Sequence, residues 1–234
     1  MNDSVSVVIP AFNEQENIEE TVEIVHRLTS RCVKDFEIII VNDGSTDNTA
    51  NSIAQLVKKN SRVKVVTHLS NQGLGKAYLS GIKYAQKTYV TGYPADNDQS
   101  SEILTDLIRA RKKADMVISY MTNLNTREFI RKVLSIAFVK LMNLLFRLKL
   151  KYYNGYFICR VDLLRKVKLK SSGFTIFAEA KIRLIKKGIK VIEIPYETKR
   201  RARGESKALR WKNIWQTIYS ICVLLKDVYI THDI

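Results

Sequence analysis

The chain has 234 residues, of which 46% are hydrophobic, so it is long enough for one domain with a full core. Its net charge of +16 is uneven, because residues 1–126 hold 14 Lys or Arg against 15 Asp or Glu, whereas residues 127–234 hold 25 against 8. Unless these are only solvated lysines, the basic half favours an anionic partner: a phosphate ligand, a nucleic acid or an anionic membrane surface. Three distant cysteines and three scattered histidines argue against a disulfide framework and a zinc site.

Strands and helices alternate through the first half of the chain. Apolar, β-rich runs predict strands at residues 5–9, 36–41, 62–67, 89–93 and 116–119. Helices are predicted between them, at residues 14–28, 46–59, 75–86 and 102–112. Strands that alternate with helices of this length predict an α/β fold, with a doubly wound, mostly parallel sheet and helices on both of its faces.

The second half of the chain carries two long amphipathic segments. Residues 127–150 are predicted to form a helix that is apolar around most of its circumference and is interrupted by basic residues. Residues 208–234 contain a second helix, whose apolar stripe includes Trp211 and Trp215. These helices either pack on the protein's own core or lie in the plane of a membrane, with aromatic anchors and basic flanks. No stretch approaches the ~18 uninterrupted apolar residues of a membrane-spanning helix.

Polar motifs follow the first two predicted strands. V-V-I-P-A-F-N-E leaves Pro10 and Glu14 at the end of the first strand, and V-N-D-G-S-T-D-N-T leaves Asp43 at the end of the second. In an open α/β sheet, ligands bind beyond the carboxyl ends of the strands. A carboxylate at that edge suits the hydroxyls of a ribose or the polar edge of a base. The same residues are also common in turns and helix caps, so both interpretations remain.

Two later segments carry groups that suit a diphosphate and its metal. N-Q-G-L-G-K-A is a glycine-punctuated helix start whose amides and Lys76 suit a phosphate, although it is also compatible with simple helix entry. The loop P-A-D-N-D-Q presents Asp96 and Asp98 two positions apart. Alternate carboxylates suit a hard divalent cation, which Mg²⁺ sites usually share with substrate phosphates. We therefore predict a site for Mg²⁺ or Mn²⁺ at Asp96 and Asp98.

A basic loop, K-R-R-A-R-G-E-S-K, occupies residues 199–207 and contains Arg201 and Lys207. Such a loop with a glycine hinge suits closure over a diphosphate, where negative charge grows as the leaving group departs. A solvated charge run and a nucleic-acid patch are the alternatives. Since no aromatic platform accompanies the loop, we expect no nucleic-acid partner.

Together these motifs resemble those of family 2 glycosyltransferases with the GT-A fold, and within them the polyprenyl-phosphate sugar synthases of the dolichol-phosphate mannose synthase type. The resemblance covers residues 5–207. The two strand-end motifs are quite specific for family 2. The polyprenyl-phosphate branch is indicated by N-G-Y-F-I-C-R, residues 154–160, and by R-A-R-G-E-S-K, residues 201–207. The implied activity is that of a hexosyltransferase.

The resemblance implies roles for individual residues. It implies a nucleotide-sugar site that consists of Pro10, Phe12, Glu14, Val41, Asp43, Asp96, Arg201 and Lys207. We add Lys76, from the glycine-rich helix start, to this site. The implied catalytic residues are Asp96, Asp98 and Arg201. The two aspartates among them are the implied metal ligands.

On the acceptor side, the resemblance implies that Arg127 and Arg131 hold the phosphate of a polyprenyl lipid. Glu179, in F-A-E-A-K, matches a recurrent acid near the acceptor. Two positions depart from the family pattern: Pro94 stands where the acidic loop often has an aspartate, and residues 119–122 lack the arginine usually found near the diphosphate.

The implied reaction is an inverting single displacement at the anomeric carbon of a nucleotide-diphosphate sugar. Because a phosphate acceptor is already ionised at neutral pH, no strong general base is required. We expect residues 1–207 to form the GT-A domain, with the interface helix 127–150 inside it, and residues 208–234 to add an amphipathic helix. The expected location is peripheral, on the cytoplasmic face of the cell membrane.

Two alternatives remain open. The first is a family 2 enzyme that glycosylates a saccharide or another hydroxyl acceptor, for which a base such as Asp98 or Glu179 is needed. The second is a non-enzymatic membrane-binding or nucleic-acid-binding protein on a degenerate transferase fold.

Overall fold

A computed structural model describes residues 3–96, 102–123, 129–171, 173, 175–197, 211–231 and 233. At residues 129–131 and 211–214 only the backbone is described. The strands in this part of the chain are β1 (Ser4–Ala11), β2 (Asp35–Asn42), β3 (Val63–Thr67), β4 (Tyr89–Gly92), β5 (Met116–Met121), β6 (Phe157–Arg160) and β7 (Val191–Tyr196). The helices are α1 (Ile18–Ser30), α2 (Thr49–Lys59), α3 (Leu74–Tyr84), α4 (Glu102–Ala110), α5 (Phe129–Phe146), α6 (Val161–Leu164), α7 (Ile176–Lys186) and α8 (Trp211–Tyr229).

The predicted α/β fold with a mostly parallel sheet is confirmed. The seven strands lie in the order β3-β2-β1-β4-β6-β5-β7. All neighbours are parallel except β6, which runs antiparallel to both β4 and β5. The strands β1 and β2, which both have neighbours on either side, are buried along almost their whole length, which explains their nearly continuous runs of valine and isoleucine.

Every strand and helix predicted in the first half is present, and the largest differences are at helix starts. The helices α1 and α2 begin three or four residues later than predicted. The intervening residues instead form the hydrogen-bonded loops that follow β1 and β2. These loops hold the polar groups of the two strand-end motifs at the edge of the sheet.

The strand order creates a crevice at the carboxyl ends of β1 and β4. From β1 the chain proceeds to β2 and β3 on one side, and then returns to add β4 on the other side of β1. At such a switch point the connections leave in opposite directions, so a gap opens between the loops of the two strands. Asn13 and its neighbours border one side of this gap, and residues 93–96 border the other.

The helices α5, α7 and α8 enclose a second, smaller hydrophobic core. It is made of the buried residues Met142, Phe146, Tyr153, Ala178, Ile182, Leu224 and Val228. The inner faces of both long amphipathic helices are therefore packed on the protein itself. No helix in the described ranges is both long and apolar enough to cross a membrane. The predicted division after residue 207 lies outside the described residues and stays a prediction.

Candidate active site

The loops that follow β1 and β2 are joined by hydrogen bonds into one rigid edge. The backbone N–H of Asn13 donates to Ser45 Oγ at 3.1 Å, and Asn13 Oδ1 accepts from the N–H of Thr46 at 2.9 Å. The N–H of Glu14 donates to Thr49 Oγ1 at 2.8 Å. Asn13 adopts a left-handed backbone with φ 57°, which asparagine tolerates better than most residues. The strand-end motifs of the sequence are thus direct neighbours.

The predicted donor residues of these two strands lie together at this edge. Pro10 pairs with Val41 in the parallel register of β1 and β2. Val41 is fully buried as a residue, so it presents no open surface to a ligand. Phe12 lies just beyond the end of β1 and is 36% exposed, which leaves part of its ring open to solvent. The carboxylate of Glu14 accepts a hydrogen bond from Asn17 Nδ2 at 3.0 Å.

Asp43 is buried and holds the neighbouring loop. Its Oδ1 accepts from His68 Nδ1 at 2.6 Å and from the N–H of Gln72 at 3.0 Å, and its Oδ2 accepts from the N–H of Gly73 at 2.8 Å. A carboxylate has about four lone-pair directions, so these three contacts leave about one lone-pair direction for a ligand. The opposite ring nitrogen of His68 lies 2.8 Å from Ser80 Oγ.

Gly44 permits the same loop to approach. Its φ of +69° is in the left-handed region, and a Cβ at this position would lie 2.4 Å from the carbonyl carbon of Ser70 and 2.7 Å from the amide nitrogen of Asn71. The D-G pair of the second motif therefore fixes residues 70–73, which lead into α3 and Lys76. Sequence reasoning missed His68, although its position directly after β3, beside the end of β2, was a usable signal.

The acidic loop after β4 borders the opposite side of the crevice. The N–H of Tyr93 donates to the carbonyl of Val8 at 2.9 Å, and Thr21 Oγ1 donates to the carbonyl of Ala95 at 2.8 Å. These two bonds tie the loop to β1 and α1. Asp96, next in the chain, is exposed. Burial, with the nearby Asp96 charge as a smaller cause, raises the pKa of Tyr93 to about 12.

Two tyrosines pack beneath the acidic loop. A Cβ on Gly92 would lie 2.4 Å from Tyr156 Cε1 and 3.0 Å from Tyr78 Cε2, so both rings are in close contact with the end of β4. Burial and then the Asp96 charge raise the pKa of Tyr156 far above its usual value. The Tyr156 carbonyl accepts from Ser119 Oγ at 2.7 Å, which links this floor to the end of β5. Sequence reasoning did not single out Tyr156 as a site residue.

The residues present are compatible with a divalent cation bound mainly through substrate phosphates. Within the described ranges there is no group of three or more His, Cys, Asp or Glu side chains that could hold a metal ion. The exposed Asp96 carboxylate nevertheless lies at the crevice, and Mg²⁺ typically uses one or two carboxylates together with phosphate oxygens and water. An all-protein cage is therefore not needed here.

Glu179 lies in a buried ion pair. Its carboxylate accepts from Arg183 Nε at 2.8 Å and from the backbone N–H groups of Lys170 and Ser171. Arg183 is itself fully buried and also contacts Asp227 on α8. These contacts join α7, the loop 168–171 and α8. A carboxylate so engaged is unsuited to act as a general base for a hydroxyl acceptor.

Of the remaining predicted site residues, the structure describes only Lys76 with its side chain. Lys76 is exposed in the first turn of α3. The side chain of Arg131 is not described, and four other predicted site residues lie outside the described ranges, namely Asp98, Arg127, Arg201 and Lys207. Their roles stay predictions.

Known proteins share this sequence pattern. The family model described as glycosyl transferase family 2 matches residues 6–168. A dolichol-phosphate mannosyltransferase of Pyrococcus furiosus is 32% identical over 95% of this chain, which spans 64% of that protein's length. The putative glycosyltransferase CsbB of Bacillus subtilis is 31% identical over 59% of this chain and 42% of its own length.

Solved structures share the fold. Glucosyl-3-phosphoglycerate synthase from Mycobacterium tuberculosis in complex with UDP has a TM-score of 0.72 at 16% identity, covering 95% of this chain and 80% of that one. Its complex with Mg²⁺ and UDP has a TM-score of 0.68, also at 16% identity, over 93% and 79% of the two chains. At this level of identity the likeness concerns the fold alone. With the family match across most of its length, the chain belongs to glycosyl transferase family 2 and has the GT-A fold.

Proposed function

We propose that this chain transfers a sugar from a nucleoside-diphosphate sugar to a polyprenyl phosphate at a membrane surface. The observation that carries the proposal is the crevice between the ends of β1 and β4, with Phe12 on one side and Asp96 on the other. Similarity to the Pyrococcus furiosus mannosyltransferase over 95% of the chain supports the polyprenyl-phosphate acceptor. UDP in the complexes of the M. tuberculosis synthase supports a nucleotide-sugar donor.

The nucleoside of the donor binds at the edge formed by the loops after β1 and β2. The partly exposed ring of Phe12 offers an apolar face for the base. Asp43 retains about one acceptor direction, which suits an N–H of the base or a hydroxyl of the ribose. Because Asn13 ties the two loops together, this surface is formed before the donor arrives.

The diphosphate lies toward the acidic loop. Asp96, together with Asp98, would hold Mg²⁺ or Mn²⁺. When bound, such a cation neutralises the negative charge that develops on the departing nucleoside diphosphate. Lys76 at the start of α3 and the basic loop that contains Arg201 and Lys207 add positive charge around the same group.

The chemical step is a single displacement. An oxygen of the acceptor phosphate, held by Arg127 and Arg131, forms a bond to the anomeric carbon from the face opposite the leaving group. The bond from that carbon to the donor diphosphate breaks, and its electron pair leaves with the nucleoside diphosphate. The anomeric configuration is therefore inverted. Since the attacking phosphate is already ionised, the reaction does not need the general base that the buried Glu179 is unable to provide.

The outer faces of α5 and α8 support action at a membrane. The inner faces of these helices are packed in the second core, yet their outer faces are apolar and exposed. On α8, Trp215 is 67% and Tyr219 is 72% exposed. An exposed lysine lies on each helix, Lys140 on α5 and Lys226 on α8, as is typical of helices that lie in a membrane interface. The exposed apolar residues of the two helices include Val133, Leu134, Leu141, Leu144, Trp215, Ile218 and Tyr219.

A transfer assay tests this function. UDP- and GDP-sugars with a radioactive sugar are incubated with the chain, Mn²⁺ and vesicles that contain polyprenyl phosphate. Label is expected in the lipid phase with one of the donors, and only when both Mn²⁺ and polyprenyl phosphate are present. Transfer of the label to an added saccharide instead, with the lipid unlabelled, would refute the lipid-phosphate acceptor.

A vesicle-flotation assay tests the membrane surface separately. The chain is expected to float with vesicles that contain anionic phosphatidylglycerol, and the double variant Leu144→Ser with Tyr219→Ser is expected to float less. The double variant Leu69→Ser with Tyr84→Ser, which changes an exposed leucine and an exposed tyrosine outside α5 and α8, is the matched control and is expected to float like the unmodified chain. Equal flotation of the Leu144/Tyr219 variant and the unmodified chain would contradict this orientation.

A further inference from the structure

Lys181 is a lysine in the interior of the protein. It lies on α7 with none of its surface exposed, and its Nζ donates to the carbonyls of Tyr153 and Gly155, both at 2.6 Å. Lysine is almost never fully buried without an ion-pair partner, because removing its charge from water is costly. Among the described residues Lys181 has no ion pair. Its position therefore calls for an explanation other than apolar packing.

The groups around the Lys181 amine are mostly uncharged. The ring of Phe157 on β6 lies 5.8 Å away, and the Tyr153 hydroxyl donates to Asn143 on α5 rather than to the lysine. Glu193 on β7 is the charged group that acts on the amine, and it does so at longer range. Burial outweighs this attraction and lowers the pKa of Lys181 to about 7. The amine donates two hydrogen bonds in either protonation state.

The two carbonyls that Lys181 binds belong to the turn that leads into β6. This turn, residues 153–156, packs against the end of β5, since a Cβ on Gly155 would lie only 2.6 Å from the carbonyl oxygen of Ser119. The next residue, Tyr156, presses its ring against Gly92. Its phenol lies close enough to Asp96 for that charge to act on it. A continuous set of contacts thus connects Lys181 to the floor of the crevice.

We propose that Lys181 is a positioning residue, which fixes the turn 153–156 and thereby holds the Tyr156 ring beneath the site of sugar transfer. The role in transfer rests on the proposed function, whereas the effect on the turn does not. Among the described residues, the buried Lys181 amine is the hydrogen-bond donor to both carbonyls, so its removal leaves two buried acceptors unsatisfied. Loss of the amine therefore loosens the turn rather than the helix that carries the lysine.

Lys181→Met tests the proposal, because methionine has a similar length but no donor. Hydrogen exchange followed by mass spectrometry is measured on the full chain. Amides of residues 155–157 are expected to exchange at least about tenfold faster in the variant, while those of residues 178–186 in α7 keep their rates. The exposed Lys187→Met at the end of α7 is the control and leaves both regions unchanged. Unchanged exchange at residues 155–157 in folded Lys181→Met would overturn the proposal.

Kinetics separate positioning from plain structural support. With the donor identified by the transfer assay, kcat is expected to fall about tenfold or more, because small misplacements near the reacting atoms are costly. The affinity for UDP or GDP with Mn²⁺ is expected to stay within about twofold, since the amine of Lys181 binds the turn 153–156 and not the loops after β1 and β2. An equal loss in both would overturn the positioning role. If the unmodified chain transfers no sugar, the proposed function fails, and the exchange result still decides the effect on the turn.

A second variant covers the case in which Lys181→Met does not fold. Lys181→Gln retains an NH₂ group with two N–H donors, but on a shorter side chain, so it is expected to show intermediate exchange at residues 155–157. Failure of both variants to fold would assign Lys181 a purely structural role and overturn the proposal.

Discussion

The buried Lys181 makes the stability of the protein depend on pH in a definite direction. Its pKa is about 7 in the folded chain, whereas an unfolded lysine keeps the ordinary value of 10.5. Between these two values the unfolded chain binds a proton that the folded chain does not. Linkage then requires the free energy of unfolding to rise with pH in this window. Below pH 7 both states are protonated and the full cost of the buried charge applies; above pH 10.5 that cost is absent.

The size of the effect follows from the pKa difference. Each unit of separation corresponds to about 1.4 kcal/mol, so the rise from pH 7.5 to pH 9.0 is on the order of 2 kcal/mol for this one group. Cys159 and the buried tyrosines, whose pKa values are raised by burial, act in the opposite direction from about pH 9 and pH 10 upward, where the same groups lose their protons in the unfolded chain. Lys181→Met removes the lysine term and leaves these others in place. The difference between the two proteins therefore isolates it.

Urea unfolding followed by circular dichroism measures this difference. The free energy of unfolding is determined for the unmodified chain and for Lys181→Met at pH 7.5 and at pH 9.0. Relative to the variant, the unmodified chain is expected to gain about 2 kcal/mol between the two pH values. The exposed Lys187→Met should track the unmodified chain. An equal difference between Lys181→Met and the unmodified chain at both pH values would refute a lowered pKa.

Three further predictions concern the site and its floor. Gly44→Ala is expected to lower the free energy of unfolding by about 2–4 kcal/mol, because the added Cβ would meet the backbone of residues 70 and 71. Gly188→Ala is the control: Gly188 also has a positive φ, but the space around it is open, so the loss should be only about 1 kcal/mol. Equal losses of the two variants in thermal unfolding would contradict this explanation. Tyr78→Phe removes a buried hydroxyl that has no hydrogen-bond partner within the described ranges, so its free energy of unfolding in urea should be equal or slightly higher. A loss above about 1 kcal/mol would contradict this and show that the hydroxyl has a hydrogen-bond partner. In calorimetry, Mn²⁺ is expected to strengthen UDP or GDP binding to the unmodified chain but not to Asp96→Asn, whose melting temperature should be unchanged. The exposed Asp106→Asn is the control and should still bind the nucleotide more tightly with Mn²⁺. If Mn²⁺ also strengthens binding to Asp96→Asn, this residue does not belong to the metal site.

Local patterns were enough to predict the first half of the fold. The strands β1 and β2 are buried on both faces, so their runs of valine and isoleucine identify them without knowledge of their neighbours. The motifs at their ends were predicted to lie beyond the carboxyl ends of the strands, at the edge of the sheet where ligands bind in such folds. The hydrogen bonds between Asn13 and residues 45–46 agree with this expectation.

Other features depend on contacts between distant parts of the chain. The antiparallel β6 is four residues long and has no pattern that distinguishes it from a parallel strand. Asp43 was expected to face a ligand, yet most of its hydrogen-bonding capacity is used by His68 and by the amides of residues 72 and 73. Glu179 was considered as a base, and its ion pair with Arg183 was not foreseen because either partner alone also suits an exposed helix face.

The sequence by itself determined the α/β class, through its periodicity, and the family, through motifs of residues that are adjacent in the chain. It also predicted the edge of the sheet at which ligands bind. Only the tertiary structure decided how those residues are used. It packed the inner faces of α5 and α8 on α7, engaged Glu179 in an ion pair, and brought Lys181 under the turn that supports Tyr156. Burial and hydrogen-bond partners depend on residues far apart in the sequence, and the side chain of a lysine or a glutamate carries no local sign of whether it will face water or the interior.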